Sequence, residues 1–197
     1  MTKNQKTAIL IDQLFQDSEV TDPKEKLEQA GFKVDIVGPN TTEEYVGKKG
    51  TKIKANKSIE EISASDYAAL VIPGGWAPDK MRMNVKMVKF VEDINAANKP
   101  IACICHGGSM LVEAGVVKGK RLTSYVSIRT DLINAGARWQ DKEVVVDGNL
   151  ITSRTPADLP VFCSELLKAL SQITVQSYPP PTKVTISSSS FSVSIVS

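Results

Sequence analysis

Two of the chain's three cysteines and its single histidine fall within four positions, in the stretch PIACICHGGSM at residues 100–110. Cys105 and His106 are adjacent, and Gly107 and Gly108 follow. A nucleophile carried on a sharp strand-to-helix turn needs small residues two before and two after it, because backbones crowd there. The serine form of that turn reads G-x-S-x-G. Here it reads C-x-C-x-G, with Cys103 and Gly107 in the small positions. A cysteine on such a turn meets a helix N-terminus, whose dipole and free amides favour the thiolate, the reactive form. Neighbouring amides, that of His106 among them, can donate to an oxyanion. The glycines of PGGW (73–76) bring a second backbone to the same rim, and the Gly75 N–H is assigned as the other donor. The chemistry expected is covalent catalysis by Cys105.

Plainer readings of the same residues stay open. A buried cysteine is more often a small core residue than a nucleophile, and His106 could be a rim residue satisfied by one hydrogen bond. Zinc is disfavoured, because C-x-C-H offers three ligands crowded on one turn with no second cluster and no C-x-x-C pair. Cys163 falls at a core-like position of the last helix and reads as structural. No phosphate-binding glycine fingerprint is present, so no cofactor is expected.

The elements that must hold this turn alternate in type. TAILI (7–11), FKVDIVGP (32–39), YAALVIPGG (67–75), PIACI (100–104) and RLTSY (121–125) read as strands. DPKEKLEQAG (22–31) reads as a helix with Pro23 near its start and Gly31 as its stop. Residues 84–99 form an amphipathic helix with Val85, Val88, Val91 and Ile94 on one side. GSMLVEAG (108–115), SIRTDLINAG (127–136) and PADLPVFCSELLKAL (156–170) are further helices, and EVVVDGNLITSR (143–154) is a hairpin turning at DG. The polar stretch 40–66 has room for a small hairpin or crossover, and for a turn capped by Ser58 with Glu61. Strands alternating with helices indicate a flavodoxin-like three-layer α/β/α sandwich with a mostly parallel sheet. Ligands of such sheets bind off the carboxyl ends of the strands, where both glycine turns fall. Residues 1–170 make this domain. The Ser- and Pro-rich segment 171–197 is either an extension or, from the alternation of Val184, Ile186, Phe191, Val193 and Ile195, an added strand pair.

With 24 basic against 22 acidic residues the net charge is +2, too balanced to indicate nucleic acid or a membrane surface as partner. The N-terminal apolar run, about five residues, is too short for a signal peptide or a span. Three cysteines do not make a disulfide framework, and a reducing cytoplasm is the expected home.

The stretches ICHGGSMLVEAGVVKGKRLTSY, DLINAGARWQDKEVVVDGNLITSR, PADLPVFCSELLKAL and LVIPGGWAPDKMR closely resemble the PfpI-type intracellular proteases. These belong to the superfamily of the Parkinson-disease protein deglycase, which is related to class I glutamine amidotransferases. The resemblance spans residues 6–170. It implies Cys105 as nucleophile and His106 beside it, with Gly74, Gly75 and Tyr125 at the oxyanion and substrate site. It also implies an acid from the loop QLFQDSEVTDP, four residues before a proline, which here is Glu19. A protonated Glu19 would donate to the thiolate, whereas a solvated helix-start carboxylate is the competing reading. In protease-like members a carboxylate just after the PGG turn of a neighbouring subunit orients the histidine. Asp79 fits that position, one methylene shorter than the more usual Glu. The resemblance therefore implies a homodimer or higher oligomer with its site near the interface. Departures from the family pattern line the presumed pocket: Gln16 within FQD, Cys103 before the nucleophile, HGG in place of HGP, and SYVS in place of SYPG. Cys103 invites redox chemistry with Cys105.

Two functions follow. In the first, Cys105 attacks an electrophilic carbonyl, either free methylglyoxal or a glyoxal-derived adduct on a protein or nucleotide, and peptide hydrolysis ranks behind it. In the second, the chain is a non-enzymatic stress sensor or chaperone whose Cys105 oxidises to a sulfinic acid. A glutamine amidotransferase needs a histidine far along the chain from its cysteine, and there is no other histidine.

Overall fold

A computed structural model of the protein describes residues 6–177. Five parallel strands form the middle of the fold: β1 (Lys6–Leu10), β2 (Lys33–Gly38), β6 (Ala69–Ile72), β7 (Ile101–Ile104) and β11 (Leu150–Ser153). Between β2 and β6 the chain makes an antiparallel hairpin, β3 (Glu44–Val46) with β4 (Lys52–Lys54), then the short edge strand β5 (Lys57–Ser58). β8 (Arg121–Leu122) and β9 (Arg138–Trp139) pair in a separate two-stranded patch. β10 (Val144–Asp147) adds antiparallel to β11 at the far edge. The large sheet runs β10-β11-β7-β6-β1-β2-β5.

Helices α1 (Asp17–Gln29) and α6 (Leu159–Ser177) pack together against one face. Helices α2 (Ala77–Met81), α3 (Val85–Ala96), α4 (Gly108–Glu113) and α5 (Arg129–Asn134) form the other layer. Both faces of the central strands are therefore covered. Accordingly β1, β6 and β7 read as continuous apolar runs rather than alternating ones, and Ala8 to Ile11, Ala69 to Ile72 and Ile101 to Ile104 are buried. This is the expected flavodoxin-like sandwich. Strands β7, β6 and β1 are neighbours, so the loops leaving their carboxyl ends meet at one rim, beside the point where the strand order reverses.

Several boundaries differ from the sequence reading. Helix α1 starts at Asp17 and carries Pro23 in its interior. Pro23 has no N–H to give the Glu19 carbonyl four residues back. The buried stripe of α3 is Met87, Phe90, Val91 and Ile94, spaced i, i+3, i+4, i+7, while Val85 points outward. The hairpin turn is Gly148–Asn149, because Asp147 still pairs with Leu150. RLTSY contributes only the two-residue β8. Ser58 does cap a 3₁₀ turn, but the reciprocal capping box belongs to Ser63 and Asp66. Helix α6 continues seven residues past the expected stop at 170, to Ser177; the strand pair expected in the tail lies outside the described residues. Among the described residues no helix is long and apolar enough to cross a membrane.

Candidate active site

The strand-turn-helix setting expected for Cys105 is present. Strand β7 ends at Ile104, residues 105–107 make one 3₁₀ turn, and α4 begins at Gly108. Cys105 itself has φ 61, a left-handed conformation that a non-glycine residue adopts only when its surroundings enforce it. The need for small neighbours is visible in the packing. A methyl group on Gly107 would lie 2.7 Å from the Ile72 carbonyl oxygen and 2.9 Å from Cys103 Sγ, so the two small positions face each other beneath the turn.

Three segments close on the thiol. The Gly75 N–H of the β6 loop and the His106 N–H of the turn itself lie near Cys105 Sγ and favour its anion. From the first turn of α1 comes Glu19, fully buried, with Oε2 accepting the Gly74 N–H at 2.7 Å. Glu19 is thus a helix residue rather than a loop residue. The solvated-carboxylate reading is overturned by its burial, which pushes its pKa up to about 7 against the pull of the Gly74 N–H and the Cys105 thiol. Its Oε1 is buried without a hydrogen-bond partner. Gly74, expected among the oxyanion donors, gives its N–H to Glu19 instead.

The thiol is not the simple low-pKa group that its helix-start position suggested. Burial, then the charge of Glu19, pushes Cys105 up to about 12, against the two amides that favour the anion. Glu19 and Cys105 are one coupled pair. It loses a first proton near neutrality, and carboxylate–thiol and carboxylic acid–thiolate are two arrangements of that one-proton state. Cys103 is buried beneath, driven well above its ordinary value by burial and then by Glu19 and Cys105. All three cysteines are free, and Cys163 is buried against α1 as expected.

His106 Nδ1 lies 3.2 Å from Cys105 Sγ. Its ring is stacked between Tyr125, centroids 4.9 Å apart, and Trp76 at 6.3 Å. Nε2 lies 3.0 Å from Ser127 Oγ. Burial, then the Lys48 charge, lowers the His106 pKa, so the ring is a neutral base at neutral pH. Asp79 is exposed on α2 and bonds through its N–H to the Trp76 carbonyl. Within this single chain the group on His106 Nε2 is Ser127. Tyr125 stacks on His106 and gives its N–H to the Cys105 carbonyl at 3.3 Å. Trp76, Ser127 and Lys48 were missed. The departure of SYVS from SYPG was the signal for Ser127. Among the described residues no three of His, Cys, Asp or Glu are grouped to hold a metal ion.

A scan against protein families matches residues 5–169 to the DJ-1/PfpI family. The chain belongs to the DJ-1/PfpI family. Deglycase PfpI of Pyrococcus furiosus is 42% identical over 158 residues, covering 79% of this chain and 93% of that protein. Protein/nucleic acid deglycase 2 of Escherichia coli is 41% identical over 169 residues, covering 85% and 98%. Among solved structures, a two-domain protein from Anabaena variabilis with DJ-1/ThiJ/PfpI-like and ferritin-like domains superposes with a TM-score of 0.84 at 44% identity. The match covers 85% of this chain and 50% of that longer one. In this chain Ser127, Trp76 and Tyr125 surround the histidine.

Proposed function

We propose that the chain is a cysteine-dependent hydrolase acting on 2-oxoaldehydes and on glyoxal-derived adducts of proteins or nucleotides. The observation that carries this reading is Cys105 at φ 61 with His106 Nδ1 3.2 Å from its sulfur and the Glu19 carboxyl meeting it across Gly74. The Cys105 thiolate adds to the aldehyde carbon, and the resulting oxyanion takes the proton from Glu19, giving a hemithioacetal. The amides that held the thiolate remain nearby as donors. A base, Glu19 or neutral His106, then moves the C1 hydrogen to C2 as a proton through an enediol. C1 is oxidised to a thioester and C2 reduced to an alcohol, so no outside oxidant is used. Water attacks the thioester, Cys105 leaves as thiolate, and a hydroxy acid is released. Deglycase names among the relatives support this class.

The partner we propose is a second copy of the chain. Exposed Trp76, Tyr125 and Val126 around the site give an apolar rim that a second copy would cover, and Asp79 would come from that copy. The same donors around Cys105 favour a second reading, stabilisation of a sulfinic acid in a stress sensor. Conversion of methylglyoxal to lactate, followed by NMR for wild type and Cys105→Ser, separates the two. Turnover lost in the variant supports the hydrolase. Absence of wild-type turnover on methylglyoxal and glycated substrates, with Cys105 oxidising on peroxide treatment, supports the sensor and rejects the hydrolase.

A further inference from the structure

Three separate pieces of backbone are zipped together at the rim of the site. The loop 14–16 lies in the middle. On one side it pairs with the β6 loop, through an antiparallel bridge of Phe15 with Gly75, the Trp76 N–H on the Leu14 carbonyl at 2.9 Å and the Gln16 N–H on the Gly74 carbonyl at 3.2 Å. On the other side it pairs with the β3–β4 turn, through the Leu14 N–H on the Val46 carbonyl at 2.8 Å and the Lys48 N–H on the Phe15 carbonyl at 2.9 Å. Lys48 therefore stands two strand spacings from the backbone that carries Gly75, with loop 14–16 between them.

The turn is also fixed from below. Asp17, buried in the first turn of α1, accepts the Lys49 N–H at 2.8 Å on Oδ2 and the Thr51 N–H at 2.9 Å on Oδ1. Above the turn the Lys48 ammonium lies 5.7 Å from the centre of the Trp76 ring, which itself stacks on His106. Lys48 is in none of the ion pairs formed among the described residues. Its charge is felt inside the site, where it lowers the pKa of both Glu19 and His106. A cation without a carboxylate partner, held on a pinned turn at the mouth of a site, attracts an anion.

We propose that Lys48 is a specificity residue that selects carbonyl substrates bearing an anionic group close to the reacting carbonyl pair. This rests on the hydrolase reading for the word substrate, but the charge selection belongs to Cys105 whatever that thiol does. In the proposed reaction the product is itself a carboxylate, and Lys48 faces the same charge at release.

The test uses two alkylating reagents with the same leaving group and different charge, iodoacetate and iodoacetamide, on the full-length chain. The rate at Cys105 is read by peptide mass spectrometry for each. Their ratio cancels the thiolate fraction, so a change in Cys105 protonation drops out, and measuring it below about pH 6 and again at about pH 8 separates the charge of Lys48 from that of Glu19 and His106. In Lys48→Gln the iodoacetate-to-iodoacetamide ratio falls about threefold to fivefold. Lys48→Arg keeps it, and about 1 M salt narrows the gap by screening. An unchanged ratio in Lys48→Gln, including the case where both rates fall together, overturns the proposal. Because alkylation needs no turnover, a chain inert toward every dicarbonyl but with this ratio change would lose the hydrolase reading and keep Lys48.

Discussion

The Gly74 N–H donates to Glu19 Oε2 at 2.7 Å, and a methyl group built on Gly74 would sit 2.8 Å from that same oxygen and 2.7 Å from Cys105 Cβ. The glycine is thus both the donor that holds the acid and the gap that lets acid and thiol meet. Gly74→Ala must push one of them away, and neither can move far, since Glu19 is buried and Cys105 is locked on its turn. The expected result is a loss of about 1–3 kcal/mol in urea unfolding, typical of overpacking, with Cys105 alkylation altered in the same variant. Full stability with unchanged alkylation would refute this account of the wedge.

Glu19 links stability to pH in a direction opposite to most carboxylates. Its native pKa, about 7, lies above its ordinary value of 4.5, so the native state holds this proton more tightly than the unfolded chain does. The contribution is fully present below about pH 4.5 and is lost as pH rises to about 7. Glu19→Gln removes that decline, and the difference between wild type and variant between pH 4.5 and 7.5 grows by up to about 3 kcal/mol. Because the variant also removes a like charge beside the sulfur, Cys105 alkylation moves to lower pH. Parallel stability curves for the two proteins would reject the linkage.

The turn that carries Cys105 was legible because everything it needs is local: a strand, a small residue, a glycine and a helix within about ten positions. The layers were legible for the same reason, since apolar runs and 3.6-residue spacing are short-range signals. Glu19 was reached by its offset from Pro23, although that proline was taken for a helix start; the helix begins at Asp17 because its carboxylate is engaged by the β3–β4 turn, a contact 32 residues away. Lys48 had no local signal at all, and for Ser127 the one signal was SYVS standing where the family pattern has SYPG. Ser127 meets His106 across 21 residues, and Lys48 reaches the site through hydrogen bonds to a loop that itself bonds to another and through the Trp76 ring. Tertiary pairing of three loops is invisible to periodicity. The raised thiol was missed for a related reason: the helix N-terminus is local, whereas burial and the charge of Glu19 come from the folded whole.

His106 is the single histidine, so its ring resonances can be followed without assignment. They are expected to titrate below the ordinary value of 6.5, because burial and then Lys48 oppose the imidazolium. The stability this contributes is present above pH 6.5 and lost as pH falls through the native pKa. Ser127→Ala leaves that titration low, because the hydroxyl is not its cause, but slows turnover about twofold to tenfold through a less fixed ring; Ser127→Thr restores it. Lys48→Gln raises the titration toward 6.5. A ring that titrates at or above 6.5 in the wild type contradicts the burial seen for His106.

Asp17 connects the fold of the rim to its charge. Burial alone would raise its pKa, yet the hydrogen bonds from Thr51 and Lys49 outweigh it and hold the carboxylate below its ordinary value of 3.8. Its stabilising effect is therefore present above pH 3.8 and lost as pH falls through the lowered native value. Asp17→Ala leaves the Lys49 and Thr51 amides without their acceptor, an expected loss of about 1–3 kcal/mol at neutral pH. The turn that carries Lys48 is released while Lys48 itself remains. The iodoacetate-to-iodoacetamide ratio at Cys105 should then fall partway toward that of Lys48→Gln. If the ratio stays at the wild-type value although the stability drops, the ammonium is held in place by Trp76 alone and the pinned turn is a matter of stability only.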